Sequence, residues 1–193
     1  MSSPCERGLL LSAELSKYPW GDLRSFGGDA AALPGAISSL VSAESQEGAR
    51  SAWRVIDNVA HVQGRLSECA VAVTKCLAFG LPLAGSYGRE YILDLLATMA
   101  GGYDDHVDSG PAGPVSVRDC VRAMAGVFDF CVEEMKRRGN ATCVDIILMC
   151  GVHEEGLRKS AHEALREALT LDSCARIEEL IESSLQDLYQ EKH

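Results

Sequence analysis

Three groupings in this chain have the residue types to do chemistry: imidazoles beside carboxylates, a run of aspartates, and eight cysteines. His153-Glu154-Glu155 with His162 and Glu163 carries zinc-ligand residue types. A helical zinc-protease site needs His-Glu-x-x-His, which stacks both imidazoles one turn apart on one face. His153 and His162 are nine residues apart. At about 100° per residue they project to opposite sides of a helix and cannot share an ion from it. Asp104-Asp105-His106-Val107-Asp108 lacks the regular Asp-x-Asp-x-Asp-Gly spacing and the bidentate Glu of a calcium loop. His61-Val62-Gln63-Gly64 with Glu68 is a dense polar cluster. Its reading is structural: Gln63 and Glu68 bond loose backbone groups where one helix ends and the next begins.

The cysteines lie at 5, 69, 76, 120, 131, 143, 150 and 174, with no Cys-x-x-Cys. Cys69/Cys76 and Cys143/Cys150 are each seven residues apart. On a helix that is two turns, roughly 10 Å at about 1.5 Å per residue, beyond the reach of a disulfide. Most sit beside Val, Ile, Leu or Met and read as small buried hydrophobes. No Gly-x-Ser-x-Gly elbow occurs, and no Gly-rich phosphate loop follows a strand. The expectation is a chain with no catalytic, metal or cofactor residues.

Helices must position whatever function remains. Ser3 caps a first helix, with Pro4 at its first position and Glu6 completing a capping box. It runs to the stop Tyr18-Pro19-Trp20-Gly21, and residues 22–32 read as a loop anchored by Trp20, Leu23 and Phe26. Leu33-Pro34 opens a short helix. A longer one, about 46–60, shows Ala52, Trp53, Val55, Ile56 and Val59 near helical spacing and ends at Gln63-Gly64. Residues 66–81 are apolar on most sides and predict a buried inner helix; 87–100 repeat apolar residues at three and four. Gly101–Pro114 is a long Gly/Pro/Asp-rich loop, of the kind that tends to be functional. A six-turn helix then runs from Val117 to Arg138, stopped by Gly139. Asn140 caps an apolar helix over 143–150, His153–Thr170 is amphipathic, and Asp172 or Ser173 caps the last helix. No window of alternating β-branched residues lies between hairpin turns, so strands are not expected. The predicted fold is all-α, stacked antiparallel helix hairpins of about eight helices in a single domain over residues 1–193. The two halves echo each other: amphipathic helix, apolar helix with Cys-x6-Cys, amphipathic helix. That repetition is the pattern of a helical solenoid.

At 193 residues, 47% hydrophobic and 24% charged, the chain can bury its own core. No run approaches the roughly 18 apolar residues of a membrane span. The first residues lack a basic stretch followed by an apolar one, so the chain reads as cytoplasmic. The formal charge of −10 is uneven. Residues 1–102 hold 8 Lys/Arg against 10 Asp/Glu, and residues 103–193 hold 10 against 18. An acidic surface repels phosphate backbones and disfavours nucleic acid; it attracts basic proteins.

Pro19-Trp20-Gly21-Asp22-Leu23 through Leu33-Pro34, then Arg50-Ser51-Ala52-Trp53, then Val62-Gln63-Gly64-Arg65-Leu66-Ser67-Glu68-Cys69-Ala70 resembles bacterial HEAT-like repeat proteins. The likeness covers roughly residues 18–102. Cys69 stands where Ala is usual, and the C-terminal half does not match. The resemblance implies an α-solenoid binding scaffold, and some such proteins look like immunity partners of secreted toxins. The expected function is therefore a non-enzymatic protein-binding module, an immunity protein covering a basic toxin domain with an acidic surface. The alternative is a structural or regulatory scaffold for an unrelated protein. Partner-specific residues lie on loops held by rigid scaffolds. The expected contacts are Asp104, Asp105 and Asp108, with Tyr103 as aromatic anchor.

Overall fold

A computed structural model describes residues 4–103 and 113–190. Among them the chain is predominantly α-helical, as the periodicity predicts. It divides into two compact units, Met1–Cys120 and Val121–His193.

The first unit contains α1 (Pro4–Leu15), α2 (Leu33–Val41), α3 (Gln46–Ala60), α4 (Ala70–Gly80) and α5 (Ser86–Ala100). Helix α2 packs on α3 and α5, while α4 lies against α1, α2 and α5. The core is aliphatic: Leu33, Ile37, Leu40, Ile56, Leu77, Ile92, Leu96 and Met99 are fully buried. Ser45 starts α3 by accepting the Gly48 N–H at 3.2 Å. Trp20 is the anchor its loop requires: the indole is buried and donates to the Leu15 carbonyl at 2.7 Å, closing the end of α1.

The expectation of no strands is corrected here. After α3 the chain forms a small antiparallel hairpin, β1 (His61–Val62) and β2 (Arg65–Leu66), with His61 opposite Leu66 and Val62 opposite Arg65. Gln63-Gly64 is its two-residue turn, not a helix terminus. Both residues have positive φ, 52° and 85°, the backbone hand that matches strand twist in a two-residue loop. With two residues per strand, no alternation could accumulate in the sequence.

The second unit contains α7 (Phe128–Arg138), α8 (Ala141–His153), α9 (Glu155–Ala168) and α10 (Glu178–Gln190). Helix α6 (Val117–Met124) carries the boundary between the units within it. The expected six-turn helix is thus two helices. Ala125–Val127 turns as a 3₁₀ segment, where Gly126 lowers helix propensity and Val127 leaves the α region at φ −115°, ψ 11°. Ten α-helical segments result among the described residues instead of about eight. Apolar α8 packs on α7, α9 and α10, burying Cys143, Val144, Ile146, Ile147 and Cys150. Asn140 caps it, accepting the Thr142 N–H at 3.0 Å. The last helix begins later than its expected cap, because Asp172–Ile177 forms a 3₁₀ stretch first. The cations ending α7 do more than oppose the helix dipole: Arg137 and Arg138 both pair with the buried carboxylate of Glu134.

No helix among the described residues is long and apolar enough to cross a membrane.

Candidate protein-contact surface

Where α3 ends, its last carbonyls lack intrahelical donors. The chain supplies those donors from two directions. Buried Ser67, just past β2, places its hydroxyl 3.1 Å from the Val59 and Ala60 carbonyls, and its N–H donates to Ala60 O at 3.0 Å. From the 22–29 loop, the Phe26 N–H donates to Val59 O at 3.3 Å. The same loop is stitched to the start of α4. Arg24 donates its backbone N–H (3.2 Å) and its Nε (3.1 Å) to Glu68 Oε2, and its carbonyl accepts the Cys69 N–H at 3.3 Å. The Arg65 guanidinium lies 5.6 Å from the Phe26 ring centroid, a cation–π contact across loop and hairpin. Glu68 does bond a loose backbone group, as the sequence suggests, but the group belongs to Arg24.

His61 is fully engaged by the hairpin. Its Nε2 accepts the Gly64 N–H at 2.8 Å, which requires the proton on Nδ1, 3.5 Å from Asp57 Oδ1. His153 and His162 fall on different helices, α8 and α9, rather than on one. His162 Nε2 meets the Tyr189 hydroxyl at 2.8 Å, with the rings edge to face. No group of three or more His, Cys, Asp or Glu side chains among the described residues is arranged to hold a metal ion. The seven cysteines whose side chains are described are buried free thiols.

On this scaffold sits Tyr103, the aromatic residue expected to anchor a partner. It is 51% exposed. Its backbone pairs alongside Arg65, its N–H donates to Gly64 O at 2.9 Å, and its hydroxyl donates to Gln63 O at 3.3 Å. The ring lies over Gly64, where an added Cβ would come within 2.6 Å of Tyr103 Cε1. Gly102 is seated equally closely on Leu66, whose Cγ a Cβ would approach to 2.7 Å. Val62, which pairs with Arg65 from the side opposite Tyr103, is 39% exposed. An exposed aromatic ring and an exposed aliphatic side chain thus lie on backbone-paired segments on either side of Arg65.

Asp104, Asp105 and Asp108 lie outside the described residues. The segment containing them has both its ends on this platform: Tyr103 on the hairpin, and Gly113 against the Arg24–Glu68 pair. A Cβ at Gly113 would lie 2.6 Å from Glu68 Oε2 and 2.8 Å from Arg24 Nε. The residues missed by sequence reading are therefore Ser67, Arg24 and the hairpin. Gln63-Gly64 was the available signal, but a turn of this kind is announced by Asn-Gly or Asp-Gly between longer strands.

Gly64 is the position on which the platform turns, since it needs both a left-handed φ and room for a ring. Gly64→Ala is expected to cost about 1–3 kcal/mol, combining the left-handed penalty with overpacking. Tyr103 should swing off the hairpin, shifting its ring resonances and the Gln63 amide, while the resonances of α8 stay in place. Unchanged Tyr103 shifts would show that the ring does not rest on Gly64 in solution.

No protein-family model, no curated protein and no solved structure matches the chain.

Proposed function

We propose that this chain is a protein-binding module that engages a basic partner through the Tyr103 platform and the acidic segment beginning at Asp104. One observation carries the reading: the segment that concentrates Asp104, Asp105 and Asp108 is attached at both ends to a hydrogen-bonded platform bearing exposed Tyr103 and Val62. An apolar anchor next to carboxylates suits a protein surface with a cation beside an apolar cleft. The net charge of −10 adds long-range attraction for such a partner.

The finer reading is a HEAT-like stack of helix hairpins acting as an immunity protein, covering the basic active site of a toxin. The resemblance of residues 18–102 supports it. A toxin gene directly upstream, whose product is inactivated on mixing with this chain, would establish it. A partner of unrelated activity would leave a scaffold.

The contact surface is tested by replacing Asp104, Asp105 and Asp108 together with Asn, and Tyr103 separately with Ala, and measuring association with a partner captured from native cells. The triple variant should associate about tenfold more slowly at low salt and show a flatter salt dependence. Tyr103→Ala should leave the association rate nearly unchanged and speed dissociation, the usual signature of losing an anchor. Association and dissociation unchanged in both variants would move the interface elsewhere.

A further inference from the structure

The hairpin turn hangs on an imidazole acceptor. One peptide unit, Gln63–Gly64, is gripped at both of its polar atoms. Its N–H donates to His61 Nε2 at 2.8 Å, and its carbonyl accepts the Tyr103 hydroxyl at 3.3 Å. A peptide unit is planar, so rotating it out of one bond also breaks the other. Gln63 holds φ at 52°, a left-handed conformation disfavoured for a residue with a Cβ, and the turn needs those bonds to stay in it. Nε2 accepts only while the ring is neutral. In the imidazolium both ring nitrogens are donors, and Nε2–H would face the Gly64 N–H. Imidazole ordinarily makes that change between about pH 5 and 8.

Strand β1 packs on α3 and β2. From α3, Asp57 Oδ1 lies 3.5 Å from His61 Nδ1, and Arg54 stands exposed one turn before it. From β2, the Arg65 guanidinium lies over the Phe26 ring, and just beyond that strand Glu68 pairs with Arg24. Asp57 meets a protonated Nδ1 in both charge states of the ring, so it retains the imidazolium; the contact that protonation removes is the one to Gly64. We propose that His61 is a pH-sensitive latch. While neutral it holds the Gln63–Gly64 peptide, and through it Tyr103, in place; on protonation it lets that peptide go. The contact surface is then ordered at neutral pH and loosened in mild acid. This consequence for a partner rests on the protein-binding reading, whereas the latch itself is a property of the hairpin.

The test is NMR of the full chain from about pH 5 to 8, following the ring nitrogens of His61 together with backbone amides. As the ring gains its proton, the Gly64 amide proton should move upfield with the same midpoint. Exchange protection of the Gly64 and Tyr103 amides should fall about three- to tenfold, the worth of one neutral hydrogen bond, while the amides of α8 hold theirs. His61→Gln offers a neutral acceptor with no proton to gain, and its Gly64 and Tyr103 amides should keep one protection across the range. Should that variant fold poorly, the coincidence of the two midpoints in the wild type decides alone. A Gly64 amide that stays constant while the His61 ring charges would overturn the latch. So would an equal response in His61→Gln, which retains His106. No partner enters the measurement, so a failure of Tyr103 to bind protein would leave the latch standing, and the reverse.

Discussion

Gly139→Ala is expected to cost the second unit about 3–5 kcal/mol, a large share of the stability of an ordinary domain. Gly139 ends α7 with φ +61° and donates its N–H to Met135 O at 2.8 Å. An alanine there first meets the left-handed penalty of about 1–2 kcal/mol. It then meets a backbone atom: its Cβ would lie 2.2 Å from Ser173 O, where no side chain can rotate away. The chain must separate α7 from the 3₁₀ stretch Asp172–Ile177. That separation removes the donors on α7's final carbonyls, the Ser173 hydroxyl on Lys136 O and the Cys174 thiol on Met135 O at 3.4 Å. Overpacking and lost hydrogen bonds account for the remaining cost. Urea unfolding followed by circular dichroism measures it. Gly126→Ala is the control, because a Cβ there meets nothing within 4 Å. A loss below about 1 kcal/mol at Gly139, within the range of a mild surface change, would mean that α7 and the 172–177 stretch are not in contact in solution.

Alkaline pH should unfold this protein earlier than its charge alone would. Burial pushes the Cys76 thiol up to about 12, with Glu14 adding to the effect, and burial pushes Cys150 up to about 12, with Glu154 adding. Both folded values lie above the ordinary 9.0. Above pH 9 the unfolded chain therefore sheds protons that the folded chain keeps. Their contribution is complete below about pH 9 and is lost as pH rises toward 12. Each thiol steepens the loss by up to about 1.4 kcal/mol per pH unit. Urea midpoints should be flat between pH 7 and 8 and fall progressively beyond 9. Cys150→Ala should remove part of that slope while lowering stability modestly at pH 7. A midpoint that holds level to pH 11, or a slope identical in Cys150→Ala, would show that ionisation of this thiol is not coupled to folding.

These expectations draw on two kinds of information, and they separate along the range of the interactions involved. Most helices of both units were legible in the sequence because each depends on nearest turns, the 3₁₀ breaks at Ala125–Val127 and Asp172–Ile177 excepted. Leu33-Pro34 opening α2, the face of α3 over 46–60 and the Asn140 cap of α8 are local features read at spacings of one to four residues. Gly139 as the end of α7 was legible for the same reason. That its hydrogen atom faces the Ser173 carbonyl was not, since the two residues are far apart in sequence.

The contact platform was legible only in part. Tyr103 and the aspartates after it were visible as residue types, an aromatic residue and a charge run in a long loop. What holds Tyr103 in place, a left-handed Gln63-Gly64 turn, was hidden inside a hairpin too short to alternate. Glu68 looked like a helix-junction residue, yet its partner Arg24 comes from a loop 44 residues earlier. By itself the sequence determined that the chain is helical, where most of its helices form and which faces are apolar, since propensity, capping and periodicity act within a turn or two. Only the tertiary structure decided which side chains share a surface, because that follows from packing between segments distant in the chain, whose pairing no local spacing encodes.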